Sequence, residues 1–370
     1  MSRRTRPKTS ELYIGLMSGT SLDGLDAALV DLHARPRLLG AAYLRFPGDL
    51  KRALVALHER APDELHLASL AGVRLSKFYT RGVDRLLAKC HVSARSVRAI
   101  GCHGQTIRHR PDAGYTLQIG NPAWLAERTG ISVVADFRSR DIAAGGQGAP
   151  LVPAFHFAVF HSARVHRAIV NLGGIANVTD LPRTGAVTGF DTGPGNVLLD
   201  AWAKKILGRD FDRNGAMASR GRPLEALLSA LLADPYFRRV PPKSTGRDQF
   251  NLAWLHRFGV ARYRAEDIQA TLAELSARSI GKAVARFCPG AAELYLCGGG
   301  AHNSDLVSRI ARTLPGIPVA STSKLGIHPD WVEAMAFAWL AQRRLKGETG
   351  SLSAVTGARE SRVLGAIYAA

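Results

Sequence analysis

Three turns rich in small residues are the first features of this sequence that could do chemistry. They read MSGTSLDGLD at residues 17–26, GFDTGPGN at 189–196 and LCGGGAHN at 296–303. Small residues let backbone N–H groups approach an anion closely, and hydroxyls add further donors. None of the three is a Walker A loop or a dinucleotide fingerprint. The turns therefore predict phosphate binding, with Asp23 suited to a hydrated magnesium ion, although tight turns without a ligand have the same composition.

Two acidic residues stand where they could move a proton. Asp191 ends an apolar segment just before a glycine turn and the start of a helix, and a helix N-terminus attracts anions. A carboxylate at that place could act as a general base toward water or a hydroxyl, or it could accept hydrogen bonds from its own turn. Glu333 follows Asp330 by three residues, which is the spacing of a capping box, but it could also serve as a second base.

Polar side chains in two other loops could contact a ligand. The string GCHGQT contains His103 and Gln105, which could bind sugar hydroxyls, and the alternative for His103 is a structural role. Arg138 has the fork geometry that holds a carboxylate ligand. The alternative for Arg138 is pairing with its neighbours Asp136 and Asp141.

Hydrophobic patterning predicts alternating strands and helices in two similar halves. The first half opens with strand segments at 12–17 and 25–32, and the second opens in the same way at 168–172 and 175–181. Helical periodicity covers much of 48–100. Further strands or helices are predicted at residues 97–100, 131–135, 187–190, 196–207, 269–287, 294–297 and 329–345. This alternation favours sheets covered by helices, with ligands at the carboxyl ends of the strands.

Composition excludes several classes of protein. With 370 residues, of which 46% are hydrophobic and 21% charged, the chain is long enough for two globular domains and is unlike a disordered protein. The apolar run at 151–160 is too short to cross a membrane, and the basic start lacks the apolar segment of a secretory signal. Four cysteines without CxxC spacing fit a reducing compartment, so we expect a cytoplasmic protein.

The net charge of +19 indicates an anionic partner or substrate. The basic residues are spread along the chain, however, and no basic stretch carries the aromatic residues that stack on bases. One basic loop, PPKSTGR at 241–247, could close over a phosphate or could have no role. We therefore expect anionic small molecules rather than nucleic acid.

Together and in this order, the motifs resemble the anhydro-N-acetylmuramic acid kinase family within the sugar kinase, heat-shock chaperone and actin superfamily. The resemblance runs from about residue 12 to the C-terminus. It rests on long strings, namely GLMSGTSLDGLD from Gly15, GCHGQT from Gly101, DFRSRDIAAGGQGAPLVP from Asp136, NLGGIANVT from Asn171, GFDTGPGN from Gly189, PPKSTGRDQFN from Pro241 and LCGGGAHN from Leu296.

The resemblance implies an α/β protein with the two-domain actin-like or hexokinase-like ATPase fold, in which mixed central sheets are flanked by helices around a deep interdomain cleft. We expect a flexible basic arm at 1–11, a first α/β domain at 12–150 and a second at 151–355. The segment 356–370 is expected to form a helix against the first domain. The family also implies a homodimer.

The implied activity uses ATP carried with Mg²⁺ and no organic prosthetic group. ATP phosphorylates the 6-oxygen of 1,6-anhydro-N-acetylmuramic acid while water opens the anhydro ring, giving N-acetylmuramic acid 6-phosphate and ADP in peptidoglycan recycling. Asp191 occupies the position of the family's catalytic base, and Glu333 is its rival or assistant. Four side chains are expected to line the sugar: His103, Gln105, Arg138 and Asp141.

The resemblance also assigns the three turns to ATP. The first two are phosphate loops, and the third is the loop on the nucleotide side. On the sugar side, Arg138 is the candidate for the lactyl carboxylate of the substrate. The expected ATP-binding residues are Gly19, Thr20, Ser21, Leu22, Asp23, Gly24, Leu25, Asp26, Gly193, Gly195, Asn196, Gly298, Gly299 and Gly300.

Two alternatives remain open beside this interpretation. One is an ordinary kinase of hydroxyl sugars on the same fold. The other is an ATP-driven binding protein of the chaperone or actin type, which would need a large partner-binding segment or a polymer interface.

Overall fold

The fold is that of a computed structural model, which describes residues 10–19, 21–59 and 61–370. Most of the expected N-terminal arm and the predicted ATP-binding residue Thr20 lie outside the described residues. The strands are β1 (Leu12–Met17), β2 (Gly24–Asp31), β3 (Arg37–Arg45), β4 (Val97–Cys102), β5 (Gln105–Arg110), β6 (Tyr115–Ile119), β7 (Val133–Ala135), β8 (Arg167–Leu172), β9 (Ile175–Leu181), β10 (Thr188–Pro194), β11 (Glu293–Cys297), β12 (Val319–Ser321) and β13 (Ala366–Tyr368).

Helices follow or separate these strands in both halves of the chain. In the part that the structure describes, no helix combines the length and apolar character needed to cross a bilayer. The helices are α1 (Gly48–Ala56), α2 (Glu64–Cys90), α3 (Pro122–Thr129), α4 (Ser139–Ala143), α5 (Val152–Phe160), α6 (Val197–Leu207), α7 (Glu225–Leu232), α8 (Pro235–Arg238), α9 (Leu252–His256), α10 (Ala265–Phe287), α11 (Ser304–Thr313), α12 (Val332–Lys346) and α13 (Ser353–Thr356).

Two mixed sheets repeat one strand order. The first runs β13-β7-β4-β1-β2-β3 and the second runs β10-β9-β8-β11-β12. In each, three consecutive antiparallel strands are followed by two parallel ones, since β4 and β7 extend β1 as β11 and β12 extend β8. Parallel strands end at one edge, so each sheet gathers its turns there. The predicted α/β class, and the hairpin that opens each half, are confirmed.

Helices α5 and α12 pack between the two sheets. One buried apolar cluster joins Tyr13 and Val30 of the first sheet to Ile169 of the second, with Phe155 of α5 and Phe337 of α12 among them. Burying a phenylalanine side chain stabilises a fold by about 1.5–3 kcal/mol. This shared cluster therefore holds the turns of the two sheets in a fixed relation.

Two glycines set how closely α12 approaches the first sheet. A Cβ at Gly15 would overlap the carbonyl oxygen of Ala334, and one at Gly101 would overlap that of Phe337. Since only glycine lacks a Cβ, the helix backbone can lie directly on β1 and β4. The close contact brings the first turn of α12, which carries Glu333, to the strand ends.

The C-terminal segment corrects one prediction. The helix expected within 356–370 is wrong, because Ala366–Tyr368 forms β13 and pairs antiparallel with β7. Gly365 has a φ of +91°, which interrupts a helix, and the β-branched Ile367 beside an aromatic residue favours a strand. The segment thus extends the first sheet beside β7. The domain boundaries proposed from the sequence stay a prediction.

Candidate active site

The second and third turns meet at the carboxyl end of β8. The backbone N–H of Asn196 donates to the Gly173 carbonyl at 2.9 Å, and its side-chain amide donates to the Leu172 carbonyl at 3.0 Å. A Cβ at Gly300 would crowd Leu172 and Asn196, while Gly298 has a φ of +79° that favours glycine. The glycines thus let two loops share the space in front of the N-terminus of α6, where backbone N–H groups attract anions.

The first turn is tied to the loop that carries His103 and Gln105. The Ser18 hydroxyl lies 2.6 Å from the Tyr79 hydroxyl and donates to the Gly104 carbonyl at 3.0 Å. The side-chain amide of Gln105 donates to the Gly19 carbonyl at 3.1 Å. The two loops therefore form one hydrogen-bonded unit at the end of β1 and β4.

The predicted ATP-binding residues of the first turn differ in whether their side chains are free to contact a ligand. The Ser21 hydroxyl donates to the Asp23 carboxylate at 2.8 Å. Leu22 and Leu25 have fully buried side chains, so only their backbone could meet a ligand. Burial, with the neighbouring charges of Asp23 and others, raises the pKa of the Asp26 carboxyl well above its ordinary value. The exposed carboxylate of this turn is that of Asp23.

Asp191 is buried in β10 and is held at both its side chain and its backbone. The carboxylate Oδ2 accepts from the Thr245 backbone N–H at 3.0 Å, and the backbone carbonyl of Asp191 accepts from the Tyr236 hydroxyl at 2.6 Å. Burial raises the pKa of Asp191 to about 7, although the Thr245 N–H and the positive charges of Arg138 and Lys243 oppose the rise. A carboxyl poised near neutrality can take up and release a proton during a reaction.

Lys243 is buried beside Asp191. Its ammonium donates to the Tyr236 carbonyl at 3.3 Å and lies over the rings of Tyr236 and Phe190, at 4.5 and 5.6 Å from their centroids. Burial lowers the pKa of Lys243 to about 8, with help from Arg239, while Asp191 opposes the shift. At neutral pH the lysine therefore remains a cation that stabilises the ionised form of Asp191.

His103 and Arg138 form a second polar pair. The guanidinium donates to Nε2 of His103 at 3.2 and 2.9 Å and to the Gly148 carbonyl at 2.7 Å. Burial and the charge of Arg138 lower the pKa of His103 to about 3, so the ring is neutral. Because Nε2 accepts, the proton sits on Nδ1, which is buried without a partner of good hydrogen-bond geometry among the described residues, although the backbone of Gly104 and Ser18 lies close enough to oppose the fall in the pKa.

Glu333, in the first turn of α12, is buried near Arg138. Burial raises the pKa of its carboxyl, and the charge of Arg138 and a hydrogen bond from Asn171 oppose the rise. Asp330 and Glu333 do not form the capping box that their spacing allowed, since no side chain caps the N-terminus of α12. The Asp330 carboxylate lies 2.7 Å from Nε2 of His302 instead. Asp191 and Glu333 thus flank one arginine, whose charge acts on both carboxyls.

Asp141 shapes the loop that supports Arg138. Its two carboxylate oxygens accept hydrogen bonds from the Gly148 N–H and the Thr356 hydroxyl, each at 2.8 Å. Arg138 in turn bonds the Gly148 carbonyl, so the structure favours neither Asp136 nor Asp141 as its hydrogen-bond partner. Asp141 is buried within the protein, and its expected contact with a sugar stays a prediction.

A third group of charged residues lies near the first turn and α6, and it includes Asp23, Asp200 and Arg247. Burial raises the pKa of Asp200, in α6, to about 7, with the Asp23 carboxylate adding to the rise while Arg247 and Lys51 oppose it. The Nε of Arg247 is buried without a hydrogen-bond partner in the described part of the chain. Two neighbouring carboxylates offer the oxygen ligands that Mg²⁺ prefers, and the arginine offers donors to phosphate.

Comparison with known proteins identifies the family. The family model described as anhydro-N-acetylmuramic acid kinase matches residues 11–370. The chain belongs to this family. A relative of that name from Thiobacillus denitrificans is 54% identical over 98% of this chain and 98% of its own length. One from Pseudomonas putida is 53% identical over 97% of this chain and 99% of its own. A solved activator of 2-hydroxyisocaproyl-CoA dehydratase from Clostridium difficile superposes with a TM-score of 0.47 at 14% identity, covering 90% of this chain and 96% of that chain.

For this member of the anhydro-N-acetylmuramic acid kinase family, sequence reasoning missed several residues around Asp191 and Asp23. Tyr236 and Lys243 contact Asp191 or act on its charge, and Asp200 lies near Asp23. The basic composition of the loop at 241–247 indicates a role toward phosphate but not the burial of Lys243 against aromatic rings. The position of Asp200, four residues after Asn196 in the first turn of α6, is a sequence signal that could have indicated it.

Proposed function

We propose that the chain is an ATP-dependent kinase that phosphorylates the 6-oxygen of 1,6-anhydro-N-acetylmuramic acid while water opens the anhydro ring. Membership of the family supports the substrate. The observation that carries the reaction is the Asp191 carboxyl, which is buried beside the second turn with a pKa of about 7 in the field of Arg138. Such a group can act as a general base at neutral pH.

ATP would lie along the three turns. The backbone of the first turn, from Gly19 to Asp26, and that of the second, at Gly193, Gly195 and Asn196, would contact the phosphates. Gly298, Gly299 and Gly300 would lie against the nucleoside, and a Cβ at Gly299 would meet nothing within 4 Å. Open space at that glycine supports a planar group packed on the loop.

Asp23 and Asp200 would hold a magnesium ion that arrives with ATP. Their carboxylates lie close enough for Asp23 to raise the pKa of Asp200. The buried Nε of Arg247, which has no hydrogen-bond partner among the residues that the structure describes, lies in the same field. Bound there, Mg²⁺ would neutralise phosphate charge. The arginine would add donors to the same phosphates.

The sugar would bind against His103, Gln105 and Arg138. The Nδ1 hydrogen of neutral His103 and the Oε1 of Gln105 are both buried without partners among the described residues, so each could bond a sugar hydroxyl or amide. Hydrogen bonds to His103 and Gly148 use three of the five guanidinium N–H groups of Arg138. The two remaining N–H groups of Arg138 can donate to the lactyl carboxylate. Asp141 holds the loop at Gly148, which supports the arginine.

The reaction needs a base for water because the bridging ether oxygen carries no proton. Water attacks the anomeric carbon, the bond from that carbon to O6 breaks, and the electron pair stays on O6. O6 bonds the γ-phosphorus as the bond from phosphorus to the bridging oxygen of ADP breaks. Asp191 takes the proton that water loses and later releases it to solvent, with Glu333 as the assisting carboxylate. General-base help of this kind is worth about 10²–10⁴-fold in rate.

We also propose a two-domain homodimer in the cytoplasm, divided at 150/151 as the sequence indicates. All four cysteines are free thiols, which supports a reducing compartment. Sedimentation of the purified chain tests the dimer.

A labelled-water assay tests the reaction. The protein is incubated with Mg²⁺, ATP and 1,6-anhydro-N-acetylmuramic acid in ¹⁸O-labelled water, and mass spectrometry reads the sugar before the anomeric hydroxyl exchanges. We expect the 6-phosphate with label at the anomeric oxygen. The Asp191→Asn variant should bind ATP and lose the product, whereas Asp84→Asn, at an exposed site on α2, should match the wild type.

Other outcomes of this assay separate the alternatives. A sugar phosphate formed only from sugars with a free hydroxyl would indicate an ordinary sugar kinase. An active ATP-binding chain that makes no sugar phosphate would contradict the proposal and favour the ATP-driven binding protein. Full loss of product in Glu333→Gln beside an active Asp191→Asn would exchange the roles of the two carboxylates.

A further inference from the structure

Two imidazoles and a carboxylate meet beside the third turn, outside the residues assigned to the reaction. His302 follows the glycines of that turn, while His328 and Asp330 precede α12. One ligand-capable atom of each residue lies within 4.8 Å of the other two. In the part of the chain that the structure describes, no second group of three histidine, cysteine or acidic side chains is gathered in this way.

The distances between these side chains are close to those of a metal site. Nε2 of His302 lies 2.7 Å from one Asp330 oxygen, and Nδ1 of His328 lies 3.6 Å from the other. Nδ1 of His328 also accepts from the Asp330 backbone N–H at 3.4 Å, a long hydrogen bond that a bound ion would replace. Ligands of a tetrahedral ion with bonds of about 2.0–2.1 Å are about 3.3 Å apart. The three donor atoms lie within 4.8 Å of one another, so rotamer adjustments of about 1–2 Å would place all three around one ion.

The backbone already holds the two segments together. The Gly298 N–H donates to the Pro329 carbonyl at 3.0 Å, and the Trp331 N–H donates to the His328 carbonyl at 3.1 Å. The third turn is closed by the Asn303 N–H, which donates to the Gly300 carbonyl at 3.0 Å. Since the ligands rest on fixed backbone, little ordering remains to oppose binding.

The surroundings favour a cation. Burial is the main cause that raises the pKa of Asp26, and the carboxylates of Asp23, Glu333 and Asp330 add to the rise. Asp330 therefore lies near other carboxyl groups, although the chain carries a net charge of +19. A cation bound there would relieve repulsion among these carboxylates.

We propose that His302, His328 and Asp330 bind one divalent transition-metal ion of the Zn²⁺ class, with water as the remaining ligand. Imidazole nitrogen together with carboxylate oxygen suits Zn²⁺, whereas Mg²⁺ and Ca²⁺ take oxygen ligands. The bound ion ties the third turn to the segment that leads into α12. The site is distinct from the magnesium site proposed at Asp23 and Asp200, and it does not depend on the kinase reaction.

Cobalt titration of the full chain, free of any histidine tag and of nucleotide, tests the site. Tetrahedral Co²⁺ absorbs strongly in the visible range, and Zn²⁺ should displace it. We expect one equivalent of Co²⁺ on the wild type and at least about tenfold weaker binding in His302→Ala and in Asp330→Asn, as loss of a ligand predicts. Zn²⁺ should raise the melting temperature of the wild type more than that of these variants.

The matched control is His66→Ala, which removes an exposed histidine of α2 and should bind Co²⁺ as the wild type does. The side chains of His302 and His328 are 53% and 49% exposed, so their replacement should leave the metal-free melting temperature unchanged. Equal binding by the wild type, His302→Ala and Asp330→Asn would overturn the proposal. So would a sulfur-to-cobalt charge-transfer band, which would place the ion on a cysteine, or no binding of either metal.

Discussion

The backbone N–H of Thr245 donates a hydrogen bond to Oδ2 of Asp191 over 3.0 Å. The same loop supplies the Lys243 carbonyl, which accepts from the Asp191 N–H at 3.2 Å. The basic loop at 241–247 is therefore hydrogen-bonded to the part of β10 that carries the candidate base. Its position sets both the orientation of the carboxylate and the charge beside it.

Replacing Asp191 by asparagine is expected to lower turnover by about 10²–10⁴-fold, the usual value of a general base. The asparagine side-chain oxygen can still accept from Thr245, so the loop should keep its place and ATP should still bind. Steady-state kinetics and nucleotide titration measure the two quantities. Turnover within a factor of two of the wild type would contradict the role of Asp191.

The same variant should change how stability depends on pH. Burial raises the pKa of Asp191 from 3.8 to about 7 in the fold, so the folded state binds this proton more tightly than the unfolded state. The stabilisation is complete below the ordinary pKa and is lost as the pH rises through about 7. Asparagine has no proton to lose. The melting temperature of Asp191→Asn relative to the wild type should rise between acidic and mildly alkaline pH, and a constant difference would refute the shift.

Lys243 should set the pH at which the kinase becomes active. Its positive charge lowers the pKa of Asp191, and removal of such a neighbour shifts a carboxyl pKa upward by about one unit or more. We expect the acid limb of the kcat/KM profile to lie near the pKa of Asp191 in the wild type and to move to higher pH in Lys243→Met. The apparent value belongs to the coupled pair.

The control for this profile is Lys282→Met, at an exposed position of α10, which should leave the acid limb in place. A structural role for Lys243 alone would lower activity equally at every pH. A parallel loss without displacement of the limb would therefore show that Lys243 does not tune Asp191.

Local sequence patterns were enough to predict the parts of the fold that depend on neighbouring residues. The hairpin that opens each half was predicted, because its apolar segments and its turn lie in one short stretch of the chain, residues 12–31 in the first half and 167–181 in the second. The strand that was expected to end before Asp191 instead continues to Pro194, because β10 pairs with β9 beyond this position. The C-terminal strand at Ala366–Tyr368 could not be predicted from local patterns, because its partner β7 lies more than 200 residues earlier in the chain.

The missed parts of the site depend on contacts between distant segments. Lys243 occurs in a loop with a basic pattern typical of solvent, yet the rings of Tyr236 and Phe190 cover it. Likewise, the hydrogen bonds between Arg138 and His103 join residues 35 positions apart, and no sequence spacing indicates them. Burial is a property of the assembled fold, so the charges that tune Asp191 became visible only in the structure.

Arg138 should determine whether the lactyl group is recognised. Arg138→Lys keeps the charge but loses the fork that bonds a carboxylate in two places. Loss of a charge-assisted hydrogen bond costs about 1.5 kcal/mol or more, so we expect at least about tenfold higher KM for the sugar. The decisive comparison is with 1,6-anhydro-N-acetylglucosamine, which lacks the lactyl carboxylate. The wild type should prefer the lactyl sugar and the variant should not, whereas an unchanged preference would limit Arg138 to supporting His103.

Gly15→Ala tests whether close contact of α12 with β1 positions Glu333. The new methyl group would overlap the Ala334 carbonyl oxygen, so the helix must move or the strand must bend. Overpacking of this kind costs about 1–3 kcal/mol in stability, and displacement of Glu333 should lower turnover as well. Gly299→Ala is the matched control, since its Cβ would meet nothing within 4 Å. It should melt like the wild type while raising the KM for ATP, because the methyl group would occupy space expected for the nucleoside. Gly15→Ala with wild-type stability and turnover would show that α12 can withdraw from the sheet without consequence for Glu333.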